Sequence, residues 1–86
     1  MQTDVQGGSQ TNTELTDWIG DWLCREIGME RGQLQPTTTF AQYGMDSIQA
    51  MMLVGDLEEH LRRRLAPTLA WDYPTLETLA AHLAQG

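Results

Sequence analysis

The chain has 86 residues, of which 12 are acidic and 5 basic, giving a formal net charge of −7 at pH 7. A domain of this size buries roughly 60–65% of its unfolded surface, so it has room for one core and little for a deep substrate pocket. So acidic a chain argues against nucleic acid and anionic membranes as partners and for basic protein surfaces.

Residues 1–12 are polar, include Gly7-Gly8, and show no apolar periodicity. They are expected to be a disordered tail or linker ahead of a domain over 13–86. The first helix is expected over 13–27. Leu15, Ile19, Trp22 and Ile27 recur at helical spacing, with Trp18 and Leu23 beside them. Thr13 is a candidate N-cap, Glu14 and Asp17 suit the first turn, and Gly28 is the natural stop. Both tryptophans are expected in the core rather than as a ligand platform. Cys24 is the one cysteine, so no intrachain disulfide can form, and a lone thiol suits a reducing compartment.

Residues 28–45 make an unusually long connection for so small a domain. Gln35-Pro36 reads as extended, and the β-branched run Thr37-Thr38-Thr39 resists helix. Met29, Leu34 and Phe40 are spaced as anchors that fold this loop onto the bundle.

Gly44-Met45-Asp46-Ser47-Ile48 then opens the second helix, expected over 46–64. Asp46 with Gln49 three residues on has the form of a capping box. Ser47 therefore falls at the first turn, where unpaired N–H groups and the helix dipole favour an anionic substituent. This marks Ser47 as the candidate attachment point for a phosphate-linked group. Met51, Val54, Leu57, Leu61 and Leu65 are the expected inward stripe. Ile48 and Met52 fall outside it, one turn apart beside Ser47, and suggest a partner contact; the alternative is packing beneath the long loop. Arg62-Arg63-Arg64 complement the dipole at the helix end and follow Glu58 and Glu59 at pairing distance. Pro67 is the expected stop.

A short helix is expected around Leu69, Trp71 and Tyr73. Pro74-Thr75 opens the last helix, with Thr75 as cap and Leu76, Leu79, Ala80 and Leu83 forming a clean apolar face. No strand pattern appears, so the fold class is all-α: three main helices, one short helix and a long first loop. No apolar run approaches the roughly 20 residues of a membrane span, and no signal-peptide pattern opens the chain. The expected location is the cytoplasm.

Catalytic readings fare poorly. His60 and His82 lie on different helices without an acidic or cysteine cluster at metal spacing, so no metal site is expected. A serine nucleophile needs a base within reach. His60 is more than three turns from Ser47 along one helix, and no glycine-flanked strand-to-helix elbow surrounds the serine. The chain is therefore not expected to be an enzyme.

Phe40-Ala41-Gln42-Tyr43-Gly44-Met45-Asp46-Ser47-Ile48, Asp56-Leu57-Glu58 and Trp71-Asp72-Tyr73-Pro74-Thr75-Leu76 together resemble the acyl carrier proteins, specifically carrier domains of type I polyketide synthases and related megasynthases. The resemblance covers about residues 14–84 and implies an acyl-carrier-like four-helix bundle. It implies that Ser47, with Gly44 and Asp46 beside it, carries covalent 4′-phosphopantetheine. A phosphopantetheinyl transferase would install the group from coenzyme A with Mg²⁺. Acyl or polyketide intermediates would then travel as thioesters between an acyltransferase, a ketosynthase, an acyl-AMP ligase or other megasynthase enzymes. Ile48, Met52, Asp56 and Glu59 become the docking candidates, within an acidic face that also holds Asp46 and Glu58. The run 53–59 looks like carriers of loading modules fed by fatty-acyl-AMP ligases. Ile48 where leucine is common, Trp71 where phenylalanine is frequent, and Met52 at an often polar position are departures that bear on partner and cargo. The isolated domain is expected to be a monomer. The competing reading is a non-catalytic helical interaction domain without a prosthetic group, which requires Ser47 to be buried by its loop.

Overall fold

The computed structural model describes residues 11–85. Of the tail expected over 1–12, residues 1–10 lie outside the described residues, as does Gly86, while Thr11 and Asn12 form the cap and first residue of α1. Four helices follow in order: α1 (Asn12–Ile27), α2 (Ser47–Leu61), α3 (Leu69–Asp72) and α4 (Leu76–Ala84), with a 3₁₀ turn over Arg31–Gln33 in the long loop. α1 packs against α4, and α2 against α3.

α1 begins earlier than its apolar pattern suggests. Its N-cap is Thr11 rather than Thr13, in a reciprocal capping box with Glu14. Thr11 Oγ1 accepts from the Glu14 N–H at 3.1 Å, and Glu14 Oε1 accepts from the Thr11 N–H at 3.0 Å. A Thr-x-x-Glu spacing satisfies two orphan donors at once, which Thr13 could not do. Gly28 ends the helix in the left-handed region, its N–H bonding Cys24 O.

α2 ends at Leu61, three residues before the expected boundary and well ahead of Pro67. Arg62 adopts φ 56°, ψ 44° and acts as C-cap. The Arg62 and Arg63 N–H groups both turn back to Glu58 O. The helix is thus closed by a left-handed turn at a non-glycine residue, and the proline plays no part. The pairing of the arginine run with Glu58 and Glu59 does not form. Among the described residues, ion pairs join Arg25 to Glu26 and Arg31 to Asp17 and Asp21. Glu58 instead accepts from the Leu65 N–H at 2.9 Å, and Arg63 reaches Leu83 O at 3.4 Å.

The inward face of α2 is Ala50, Leu53, Val54, Leu57 and Leu61. Met51, expected inside, is 58% exposed. At about 100° per residue, Met51 lies roughly a quarter-turn from the centre of that buried set. Leu65 falls beyond the helix and is partly buried against the core. With Leu15, Ile19, Trp22, Leu23, Leu76, Leu79, Ala80 and Leu83, these residues make one core, and no polar or charged side chain among the described residues is buried. Truncating one fully buried leucine, such as Leu57 to Ala, costs about 2–5 kcal/mol, a large part of the stability of so small a domain.

Phe40 is 1% exposed, and Met29 and Leu34 pack against the core, as anchors should. The loop is also tied by backbone. The Phe40 N–H donates to Pro74 O at 2.8 Å, the Glu77 N–H donates to Pro36 O at 3.0 Å, and Thr39 forms an antiparallel bridge with Thr75. Tyr43 Oη donates to Gln35 O at 2.9 Å and accepts from the Gln35 N–H at 2.6 Å.

Candidate functional site

The segment before α2 is a turn with both ends sunk in the core. Phe40 is one end and Met45, 5% exposed, is the other. The Gly44 N–H bonds Ala41 O at 3.0 Å, and the Met45 N–H bonds Phe40 O at 3.1 Å. Gly44 takes φ +94°, which side chains with a Cβ rarely adopt; a Cβ there would touch nothing, so the requirement is conformational rather than steric. Met45 and Ala50 occupy the two positions of a hydrophobic staple and both are buried, fixing the angle at which the chain enters the helix.

Asp46 is the N-cap. Its Oδ1 accepts from the Gln49 N–H at 2.8 Å, while Gln49 Oε1 accepts from the Asp46 N–H at 3.2 Å. Ser47 is the first residue of the helix and is exposed. Its hydroxyl has no hydrogen-bond partner among the described residues, and neither do the first-turn N–H groups of Ser47 and Ile48. A phosphodiester oxygen placed here would meet two free donors at the positive end of a dipole. The residues present therefore fit a phosphate-linked group on Ser47: the hydroxyl is open to solvent, and no side chain must move to admit a chain leaving the surface.

Beyond Ser47 the outward face of α2 is apolar for a turn and a half. Ile48 is 70% exposed and Met52 45%. Neither is covered by the long loop, and Met51 joins them. These are three of the four large exposed hydrophobic residues among the described ones; Trp71 on α3, at 43%, is the fourth. Of the acidic candidates, Glu59 is exposed on this face. Asp56 is exposed too, yet its Oδ2 accepts from Trp22 Nε1 at 2.6 Å. Trp22 is fully buried, and its indole N–H needs an acceptor. Asp56 thus ties α2 to α1 as well as adding charge, a role that periodicity could not show.

The histidines stand apart from the serine. His60 stacks on Trp18 with ring centroids 4.7 Å apart, and His82 on Tyr73 at 4.0 Å. No group of three or more His, Cys, Asp or Glu able to hold a metal ion occurs among the described residues. No helix among the described residues is long and apolar enough to cross a membrane.

Residues 17–83 match the family model for the phosphopantetheine attachment site. The chain belongs to this carrier-protein family. Members carry covalent phosphopantetheine and are carriers rather than catalysts. The carrier domain is 35% identical over 80 residues to a phenolphthiocerol/phthiocerol polyketide synthase of Mycobacterium tuberculosis, covering 93% of this chain and 4% of that protein. It is 33% identical over 76 residues to the non-reducing polyketide synthase terA of Aspergillus terreus, covering 87% of this chain and again 4% of that protein. The chain thus spans a small fraction of the length of the synthases it matches. Among solved structures, a free-standing peptidyl carrier protein from an uncharacterized Acinetobacter baumannii secondary metabolic pathway is 36% identical, with TM-score 0.82 over 87% of this chain and 94% of that one. The HMG-ACPI domain of the CurA module from Lyngbya majuscula, at 24% identity and TM-score 0.80, has the same helical fold.

Proposed function

We propose that Ser47 is the attachment site of 4′-phosphopantetheine and that this carrier domain holds acyl or polyketide intermediates for partner enzymes of a polyketide-synthase-type system. When bound, the group supplies a thiol on a flexible arm, on which acyl chains ride as thioesters. The observation that carries the reading is the exposed, unbonded Ser47 hydroxyl at the first position of α2, beside two free N–H donors. Asp46 and Gly44 set that geometry, one by capping and one by conformation. Ile48 and Met52, now joined by Met51, supply short-range apolar contact for partners. Asp56 and Glu59 supply a field that steers basic partner surfaces into fast, salt-sensitive encounters. The domain contributes position and effective concentration rather than chemistry. No observation favours the plain interaction domain, which needed a buried serine.

We infer further that the domain occupies a loading position served by a fatty-acyl-AMP ligase; the residue pattern over 53–59 supports this. A phosphopantetheinyl transferase, an acyltransferase and a ketosynthase complete the partner set. The lone Cys24 supports placement in the cytoplasm, and the net charge of −7 supports a monomer in isolation.

Incubation with coenzyme A, Mg²⁺ and a broad-specificity phosphopantetheinyl transferase should add one phosphopantetheine mass, and Ser47→Ala should abolish the gain. An unmodified wild type, or a gain that survives Ser47→Ala, would end the proposal. Adding a fatty-acyl-AMP ligase, ATP and a fatty acid to the modified protein should then add one acyl mass; no loading removes the ligase assignment alone.

A further inference from the structure

α2 contains a residue that its own fold does not explain. Gly55 lies inside Ser47–Leu61, where glycine weakens a helix relative to alanine because it surrenders more backbone entropy. Gly28 and Gly44 have positive φ, and at Gly20 on α1 a Cβ would stand 3.0 Å from Leu34 Cδ1. Gly55 has neither reason. Its backbone is helical with no positive φ, and an added Cβ would meet nothing within 4 Å. Alanine would fit there and firm up the helix, so the missing methyl group brings the domain itself no benefit.

What surrounds Gly55 gives the missing methyl group a use. Met51 and Met52 lie four and three residues before it, Ile48 precedes both by one turn, and Glu59 lies four residues after. On a helix these are neighbours on one face. Ile48, Met51, Met52 and Glu59 are all exposed. The face therefore carries bare backbone at Gly55, flanked by two flexible thioether side chains that can adapt to an inserted group and by a carboxylate.

We propose that Gly55 is a specificity-determining hole in the docking face, which seats an apolar side chain of the phosphopantetheinyl transferase. A flanking lysine or arginine of the transferase meets Glu59, a pairing suited to this strongly acidic domain. Gly55 lies eight residues from Ser47, about 12 Å along the helix, so one enzyme surface spans both. Only a residue without a Cβ lets a partner approach the helix backbone this closely. The inference rests on the carrier reading above and adds to it the residue that controls access.

The test measures transferase kcat/KM on wild type, Gly55→Ala and Gly55→Leu with coenzyme A and Mg²⁺, alongside melting curves of the same samples. Gly55→Ala should raise Tm by roughly 2–8 °C. It should also raise the transferase KM enough to lower kcat/KM roughly tenfold, as an overpacked contact does. Gly55→Leu should lower kcat/KM further while its Tm stays at or above the wild-type value. Modification of both variants at the wild-type kcat/KM overturns the inference and leaves the carrier reading standing. A fall in Tm also overturns it, because the fold itself would then need the glycine. A wild type that takes no phosphopantetheine removes the carrier reading and this inference together.

Discussion

Asp56 offers a separation of fold from docking within one side chain. Its Oδ2 is the hydrogen-bond acceptor for Trp22 Nε1, at 2.6 Å, and the indole belongs to a fully buried ring at the α1–α2 contact. Asp56→Ala leaves that N–H without its acceptor. A hydrogen bond to a charged group contributes about 1.5–3 kcal/mol, and an orphaned buried donor costs about 1–3 kcal/mol. Asp56 is itself exposed, so water can reach part of the vacated space, and the lower half of the range applies. A loss of about 1.5 kcal/mol in a domain of this size lowers Tm by roughly 6–12 °C. Asp56→Asn keeps an acceptor oxygen at the same place and removes the charge. It should recover most of the melting temperature while still slowing transferase association at low salt. Thermal denaturation followed by circular dichroism, with transferase rates at two ionic strengths, reads both effects. The decisive control is Trp22→Phe, which removes the donor and frees the carboxylate to water. Combined with Asp56→Ala, it should show a coupling of about 1 kcal/mol or more. Additive losses, or an Asp56→Ala protein that melts with the wild type, would refute the idea that this bond holds α2 to α1.

Ile48→Asp and Met52→Asp should each impair transferase modification or acyl loading while moving Tm by less than roughly 3 °C, since both side chains are exposed; an equal loss of Tm and loading would make them core residues instead. Arg62→Gly should raise Tm by roughly 4–8 °C, because the left-handed C-cap of α2 costs a Cβ-bearing residue about 1 kcal/mol; a lower Tm would contradict that reading. Dilute hydrogen peroxide should convert Met51 and Met52 to sulfoxides well before Met45, which is 5% exposed, as peptide mass spectrometry will show; Met45 oxidising at the same rate would contradict the burial pattern.

Local signals were legible wherever a few neighbouring residues complete the chemistry. The Asp46–Gln49 and Thr75 caps, the Gly28 stop and the apolar face of α4 depend on contacts within one or two turns, and all appear in the structure. The Thr11 cap is equally present in its Thr-x-x-Glu spacing, but the apolar periodicity begins only at Leu15 and masks it. The position of Ser47 at the head of α2, with Ile48 and Met52 outside the inward stripe beside it, came from the same short-range logic, whereas the outward place of Met51 on that face did not.

Which side of α2 faces inward depended on the partners it met. Met51, Leu53 and Val54 are all apolar and lie within four residues, so periodicity alone permits more than one stripe. Packing against the rest of the core selected Leu53 and Val54 and left Met51 outside. The same holds for Asp56, whose acceptor role exists only because Trp22, 34 residues earlier, arrives beside it. Helix types, most of the caps and the place of Ser47 at the head of α2 were thus written in the sequence, because caps and dipoles act over a few residues. The outward place of Met51 and the Trp22–Asp56 tie were decided by tertiary contact, because burial and hydrogen-bond partnership belong to pairs of elements rather than to either element alone.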